Sequence, residues 1–490
     1  MSACLPQFDA KRVCWRAEML FRPARSVTEF VDMSVAALRH RFWQLGDGRV
    51  CVPALLSLLA MGVSFSTASA APVETGTAAT GGLSKSTEII HVKNLNDAGL
   101  GSLREALKKD GPRVIVFDIG GAIELESDLR IESPNVTIAG QSAPVPGIIL
   151  HGRSLKIRTS NVVVQHITVR PWSEKPHDNG DNVDAITVIA CETCKSPSSD
   201  ILLENVSVSW SVDEDIDLYG ENLKRVTVRN SLIAEALRNA GHPKGVHSMG
   251  LLIGKNVSDV DVTGNLFISN LRRNPVVGGG ASAFVANNFI YNPGQNSVHV
   301  YKGADTRASV IGNVTRQGPD TDDKISALQI QGDLALDSPG AKIYAADNFC
   351  CDSGVSSGGT RLSPQPLSSD PATVSKFWKV MPAQDVWGWV SKFAGSRPAE
   401  RGNTDTRIVS GVESGSGKVI DSPLEVGGDT VSPSSEPPPQ LPSNPLAPAS
   451  AGNKTRLEAW LCLRHFEVGG PQTPQCPEGI EELRTALSRP

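Results

Sequence analysis

The sequence predicts an all-β chain: a right-handed, single-stranded parallel β-helix with an N-terminal capping helix and a partly helical C-terminal tail. The first observation is a repeat. An Asn followed by an apolar or small residue recurs at Asn205-Val206, Asn230-Ser231, Asn265-Leu266, Asn288-Phe289, Asn313-Val314 and Asn348-Phe349, at spacings of 25, 35, 23, 25 and 35 residues. The second is the strand pattern. Each unit carries two or three short alternating runs, such as Leu223–Val228 and Leu232–Ala234, and helical periodicity is missing between them. The third is composition: 45 Gly and 33 Pro, with only 5% aromatic residues, suit many tight turns better than helical bundles. A unit this short cannot bury its own side chains, but stacked units share one column of Val, Ile and Leu. The recurrent Asn belongs at a corner, where it tolerates left-handed backbone and can hydrogen-bond to the Asn of neighbouring coils. A leucine-rich repeat would need L-x-x-L-x-L spacing and convex helices, which are not found.

In chain order, residues 1–70 read as an N-terminal extension and a secretory signal peptide. The apolar run Val50–Thr67 follows Arg39, His40, Arg41 and Arg49 and ends at Ala68-Ser69-Ala70, an A-x-A cleavage pattern. A membrane span is the competing reading, disfavoured by Pro53 and the cleavage pattern. Met33 offers a more ordinary start for such a signal. Residues 71–87, rich in Ala, Gly, Thr and Ser, are expected to form a flexible leader. Leu103–Lys109 is expected to be a short amphipathic helix capped by Ser102, closing the open end of the solenoid. Arg113–Asp118 follows as a strand, and the β-helix domain is placed at residues 88–425. After Cys351, helices are expected at Val374–Lys379 and Ala383–Ala394, and short strands at Arg407–Gly411 and Lys418–Ile420. Residues 426–452 are a Pro/Ser-rich linker. Residues 453–490 are a small helical segment, with helices at Asn453–His465 and Glu478–Ser488. Six cysteines follow the cleavage pattern, and Cys191/Cys194 and Cys462/Cys476 are plausible local disulfides in an exported chain.

The net charge of −5 gives no case for nucleic-acid binding, which wants a basic stripe. The chemistry concentrates at Val206–Gly220, where an alternating strand runs into Asp213, Glu214, Asp215 and Asp217. In an extended ribbon Asp213, Asp215 and Asp217 share a face. The alternation is expected to break near the end of the run. Hard oxygen ligands at this spacing suit Ca²⁺, and a solvated acidic turn accounts for the run equally well. Segments at equivalent places in successive coils extend the picture: Asp181-Asn182-Val183-Asp184, then the acidic run, then His242-Pro243-Lys244-Gly245-Val246-His247, then Leu271-Arg272-Arg273-Asn274-Pro275. Singly, Lys244, His247 or Arg273 is explained by ordinary surface polarity. Jointly, acids, a His/Lys loop and arginines at the entrance to one strand ribbon span roughly 15 Å, room for a few sugar units.

These residues resemble the secreted pectate lyases of polysaccharide lyase family 1. The resemblance is carried by Val92–Leu107, by Val208-Ser209-Trp210 with Asp213-Glu214, by His242–Gly245 with His247–Gly250, and by Arg273-Asn274-Pro275 and Asn287-Asn288. It covers about residues 90–430. It implies Ca²⁺-dependent β-elimination on an acidic polysaccharide by a secreted (or periplasmic), monomeric enzyme. Asp184, Asp213 and Asp217 match the metal ligands, with Asp181 or Asn182 in support. Arg273 matches the proton-abstracting Arg. Lys244 and His247 are the candidates for the substrate-binding Lys. Val276, Val277 and Gly278 occupy the region of the family's second Arg, and Arg272 is the candidate to compensate. Because a free guanidinium has a pKa of about 12.5–13.8, an Arg base implies activity at alkaline pH. Two other classes fit parts of the pattern: a β-helix glycoside hydrolase using Asp213 and Asp215, and a non-catalytic polysaccharide-binding protein.

Overall fold

The computed structural model describes residues 71–173, 183–190, 198–303, 305–332, 340–351, 368–450 and 454–488. Three parallel sheets of ten, nine and eight strands run side by side along one coiled chain. One turn shows the plan. Ser199–Glu204 lies in the first sheet, Ser207–Ser209 in the second and Glu214–Tyr219 in the third. Lys224–Arg229 then returns to pair in register with Ser199–Glu204, Ile201 beside Val226 and Leu203 beside Val228. Side chains alternate as strand geometry requires. Ile201, Leu203, Val208, Ile216, Leu218, Val226 and Val228 all point inward and are fully buried in one continuous column. Ile216 and Leu218 thus share a face, with Asp217 between them outward, so the alternation expected to break near the end of the acidic run holds there.

The Asn repeat proves to be two registers one residue apart. At the corner between first and second sheets, His166, Asn205, Asn230, Asn287 and Asp347 take left-handed backbone, as do Gly264 and Gly312. The residue after that corner builds a ladder. Nδ2 of Asn265 donates to Asn288 (3.0 Å), Asn288 to Asn313 (2.9 Å) and Asn313 to Asn348 (2.9 Å). The same amides accept backbone N–H groups and donate to Val228, Val262, Val285 and Val310 carbonyls, so the polar atoms of a buried bend are paired.

Helix α1, Leu103–Leu107, caps the column. Ser102 Oγ accepts the Glu105 N–H, and Leu103, Ala106 and Leu107 join the core. Arg113, fully buried, donates to the carbonyls of Leu107, Gly111, Ser133 and Pro134 at that end.

Outside the solenoid several expectations change. Val73–Thr75, placed in the flexible leader, is a strand paired in parallel with Thr373–Ser375. The latter falls where Val374–Lys379 was expected to be helical. The leader's small polar residues cover the outer face of the first sheet. Thr75 Oγ1 donates to Asp261 (2.5 Å), Ser375 bonds the same carboxyl, and Asn161 Oδ1 accepts the N–H groups of Thr80 and Gly81. Gly82 lies against the Arg113 backbone, where a Cβ would come within 1.8 Å of a carbonyl oxygen. Arg407–Gly411, expected as a strand, sits inside a helix. Helices α2 (Val386–Phe393) and α3 (Asn403–Ser414) lay Val386, Val390, Ile408 and Val412 on Leu232, Leu266 and Phe289 of the second sheet. The i, i+4 spacing of Ile408 and Val412 outweighs their β-branched preference. Lys418–Ile420 forms no strand, and Ile420 packs on Trp210 and Leu237.

Helices α4 (Arg456–Glu467, with a Thr455/Glu458 capping box) and α5 (Ile480–Ser488) follow the extended Pro/Ser segment. Cys462 and Cys476 form a disulfide there. Leu457, Trp460 and Leu461 of α4 dock on Val114, Val116 and Ala139 of the early coils. Cys191 and Cys194 lie outside the described residues.

Two outcomes test this architecture. Asn288→Ala removes the middle rung and leaves buried partners unpaired, so unfolding free energy should fall by about 1–3 kcal/mol in denaturant titrations. Asp261, buried beneath Thr75 and Ser375, has its pKa pushed up to about 6. A raised folded pKa stabilises the protein fully below about pH 4 and loses that contribution as pH climbs through about 6, on the order of 3 kcal/mol in all. Asp261→Asn should flatten that part of the stability–pH curve relative to wild type.

Candidate functional site

The four helices after the solenoid pack on the first and second sheets, and the third sheet presents a row of outward side chains. Strand register sets that row: Arg130 beside Lys156, Thr187 and Asp217. It continues through Leu252, Val276, His299 and Gln329.

The acids gather where this row meets the strand entrances. Asp184 sits just before Ile186–Ile189, with Oδ1 accepting the Glu214 N–H (3.1 Å) and Oδ2 the Thr187 hydroxyl (2.7 Å). Carboxylate oxygens of Asp184, Glu214 and Asp217 lie within 4.8 Å of one another. Burial, together with the Asp213 charge, pushes the Asp184 pKa up to about 7, against the Thr187 bond. Burial and the charges of Asp184 and Asp213 hold Asp217 well above the usual carboxylate range. Asp217 Oδ1 is buried with no hydrogen-bond partner. Three crowded hard-oxygen groups, one with an orphaned atom, fit a divalent cation such as Ca²⁺.

The set differs from the expected one by a residue. Asp213 stands apart, its Oδ1 2.9 Å from His247 Nε2 and its Oδ2 3.5 Å from His242 Nε2. The two imidazoles stack with centroids 3.5 Å apart. His242 Nδ1 accepts the Lys244 N–H, which leaves its proton on Nε2, facing Asp213. His247 is therefore buried in support of Asp213 rather than open to a polymer, while Lys244 is exposed on the same loop. Glu214 stands in one possible metal-holding group with Asp184 and Asp217, and Asp213 in a second with His242 and His247. Strand parity assigned Glu214 to the opposite face, but it stands at the first position of the strand, and its longer side chain reaches the cluster. Asp181 and Asn182 lie outside the described residues.

Arg273 pairs with Glu214 and so stands over the cluster, two coils on from Asp217. Its backbone is left-handed (φ 61°), and the loop is held by buried Asn274, whose Nδ2 donates to the Asn296 carbonyl. Burial lowers the guanidinium pKa, opposed by Asp213, Tyr301 and Asp184. Arg272 bonds Gln295 on the next coil. Val276, Val277 and Gly278 stand where a second Arg was expected. Val276 and Val277 are buried, and a Cβ on Gly278 would meet the backbone of Gly254 and Lys255 at 2.8 Å.

His299 and Tyr301 also line this sheet, their rings 4.5 Å apart. Burial drops the His299 pKa to about 4, so it is neutral. The alternating Val298-His299-Val300-Tyr301 was the available signal, one coil beyond the segments aligned from sequence.

No family model matches the chain. A probable pectate lyase C of Aspergillus flavus is 30% identical over 383 residues, 77% of this chain and 85% of that protein. The corresponding protein of Aspergillus oryzae is 30% identical over 344 residues, 69% and 76% of the two chains. Among solved structures, the cedar pollen allergen jun a 1 aligns over 66% of this chain and 92% of its own, with 18% identity and a TM-score of 0.44. A Bacillus pectate lyase in complex with trigalacturonate aligns over 66% and 95%, with 14% identity and a TM-score of 0.41. By its likeness to the fungal sequences over most of their length, the chain belongs to the pectate lyases, enzymes of polysaccharide lyase family 1.

Proposed function

We propose that this enzyme cleaves 1,4-linked uronate polymers, pectate foremost, by Ca²⁺-assisted β-elimination, with Arg273 as the base. The observation that carries this reading is the Arg273–Glu214 ion pair, which sets the one candidate base beside the Asp184–Glu214–Asp217 cluster on the open sheet. In the reaction a neutral Arg273 nitrogen takes the proton α to the uronate carboxylate. The C–H electrons become the new C=C bond, and the 4-linked sugar leaves with its oxygen and the C–O bonding pair, taking up a proton from water. Ca²⁺ held by Asp184, Glu214 and Asp217 would supply positive charge against the substrate carboxylate and the charge that builds up beside it.

Glu214 is shared between two duties. Its carboxylate both belongs to the cluster and pairs with the guanidinium, so a cation held by the cluster would compete for it and lower the basicity of Arg273. Burial acts in the same direction. His242 and His247 stack beside Asp213 behind the cluster, and exposed Lys244 would meet a polymer carboxylate. Arg272, tied to Gln295, borders the same path. The hydrolase alternative loses its acid pair: Asp215 is fully buried and bonded to Ser211 Oγ, and Asp213 is enclosed by imidazoles. Export is inferred from the apolar run before Ala71, which lies outside the described residues. Among the described residues no helix is long and apolar enough to cross a membrane.

Assay of the purified protein on polygalacturonate should yield ultraviolet-absorbing unsaturated products with Ca²⁺ and none with EDTA; saturated products alone would sink the lyase reading. Arg273→Ala should lower kcat by about 10³-fold with calcium binding retained. Asp217→Asn should weaken calcium binding about tenfold or more. In EDTA the same variant should melt a few degrees higher than wild type, because it removes one of three mutually repelling buried carboxylates.

A further inference from the structure

Arg273 sits in left-handed backbone, which costs a non-glycine residue free energy and persists only where its surroundings over-determine it. Its side chain must also cross an intervening coil. Register sets Glu214 beside Met249, and Met249 bridges to Arg272. The guanidinium that pairs with Glu214 therefore comes from two coils on, a reach of about 10 Å. A long side chain on a short turn magnifies any tilt of that turn at its tip.

The turn is pinned to the coils on both sides. From the preceding coil, the Gly250 N–H donates to the Arg272 carbonyl (3.0 Å) and the Leu251 N–H to the Arg273 carbonyl (2.7 Å), while Ser248 Oγ accepts the Leu271 N–H (3.0 Å). A Cβ on Gly250 would come within 2.6 Å of the Arg273 carbonyl oxygen. The remaining ties converge on Asn270, which is fully buried. Its Oδ1 accepts the Ala236 N–H (3.0 Å) and its Nδ2 donates to the Ile233 carbonyl (3.0 Å), just ahead of the His242–His247 loop. The same Nδ2 donates to Asn274 Oδ1 (3.3 Å). The Asn270 carbonyl accepts Asn274 Nδ2 (3.3 Å) and, from the following coil, the Gly294 N–H (3.2 Å). The two amides thus join the ends of the turn across Arg273. Among the described residues the Asn270 amide bonds only backbone and Asn274, not the guanidinium or the acids.

We propose that Asn270 is a positioning residue for the elimination. By joining the ends of this turn to each other and to the coils on either side, it holds the Arg273 guanidinium on Glu214 and beside the substrate proton. This rests on the reading of Arg273 as the base. Its effects on turnover and on the ion pair are separable, because a guanidinium held against Glu214 also opposes a cation drawn to the same carboxylate.

The test compares wild type, Asn270→Ala, Arg273→Ala and the double variant, by kcat and KM on polygalacturonate and by calorimetric Ca²⁺ titration without substrate. Asn270→Ala should lower kcat about 10²-fold, the cost of an ångström-scale misplacement, with KM changed less than about twofold. It should bind Ca²⁺ about twofold to fivefold more tightly, as a loosened ion pair releases Glu214. In the double variant both quantities should match those of Arg273→Ala alone, because a residue that acts only through Arg273 has nothing left to position. Losses of kcat that multiply in the double variant, or an unchanged Ca²⁺ affinity in Asn270→Ala, would overturn the proposal. Thermal melting checks that each variant folds. Ser248→Ala, which frees the Leu271 N–H of the same turn, should give the same pattern at smaller amplitude and replaces Asn270→Ala in the cycle if that variant does not fold. An Arg273→Ala enzyme with wild-type kcat would remove the reading of Arg273 as the base. The Ca²⁺ cycle then decides by itself whether Asn270 holds the ion pair: coupled affinities uphold that hold, and additive ones remove it.

Discussion

Everything in this molecule depends on the fixed step between stacked coils. Parallel pairing holds each strand one hydrogen-bonded spacing from its predecessor, about 4.8 Å, and keeps residue i of one coil beside its counterpart in the next. That constraint makes the apolar column continuous and lines up the Asn265–Asn348 amides. It also brings Asp184, Asp217 and Arg273, dispersed over ninety positions of sequence, into one small patch. The insertions that lengthen some turns, such as the His242–His247 loop, leave the strand register untouched because they enter only at corners.

The patch is paid for by unfavourable electrostatics. Buried Asp184 and half-buried Asp217 lie beside one another, and the charge disfavoured there would give the proposed site its affinity for a hard cation. Asp213 faces two imidazoles instead, with His247 Nε2 2.9 Å and His242 Nε2 3.5 Å from its oxygens. Its field nonetheless reaches both neighbours. Glu214 links the acids to Arg273, so the state of the cluster and the basicity of the guanidinium are not independent quantities.

The repeat, the capping helix and the residues of the site were legible because each leaves a local mark: corner Asn spacing, a Ser N-cap, an acidic run, an Arg-x-Pro. What escaped was set by tertiary context. Glu214 had the wrong parity for the acidic face, and only a strand entrance lets its side chain turn back. The Thr/Gly leader looked like a linker because its partners, Asp261, Asn161 and the Thr373–Ser375 strand, are far away in sequence. Arg407–Gly411 had strand propensity that a helix docked on the second sheet overrode. Asn205 and Asn265 looked like one repeat position, although they occupy adjacent ones. A one-residue offset is invisible to spacing when the corner residue can be Asn, Gly or His.

The leader strand and helix α4 together change what kind of object the solenoid is. An open stack of coils can fray from either end, each coil needing only its neighbours. Here the first described strand, Val73–Thr75, is fastened beside Thr373–Ser375, and α4, near the end of the chain, returns to Val114 and Val116 at the first coils. The chain is thereby belted from both directions. Its ends are held by contacts that form only after the intervening coils exist, so the array should come apart as one cooperative body rather than rung by rung.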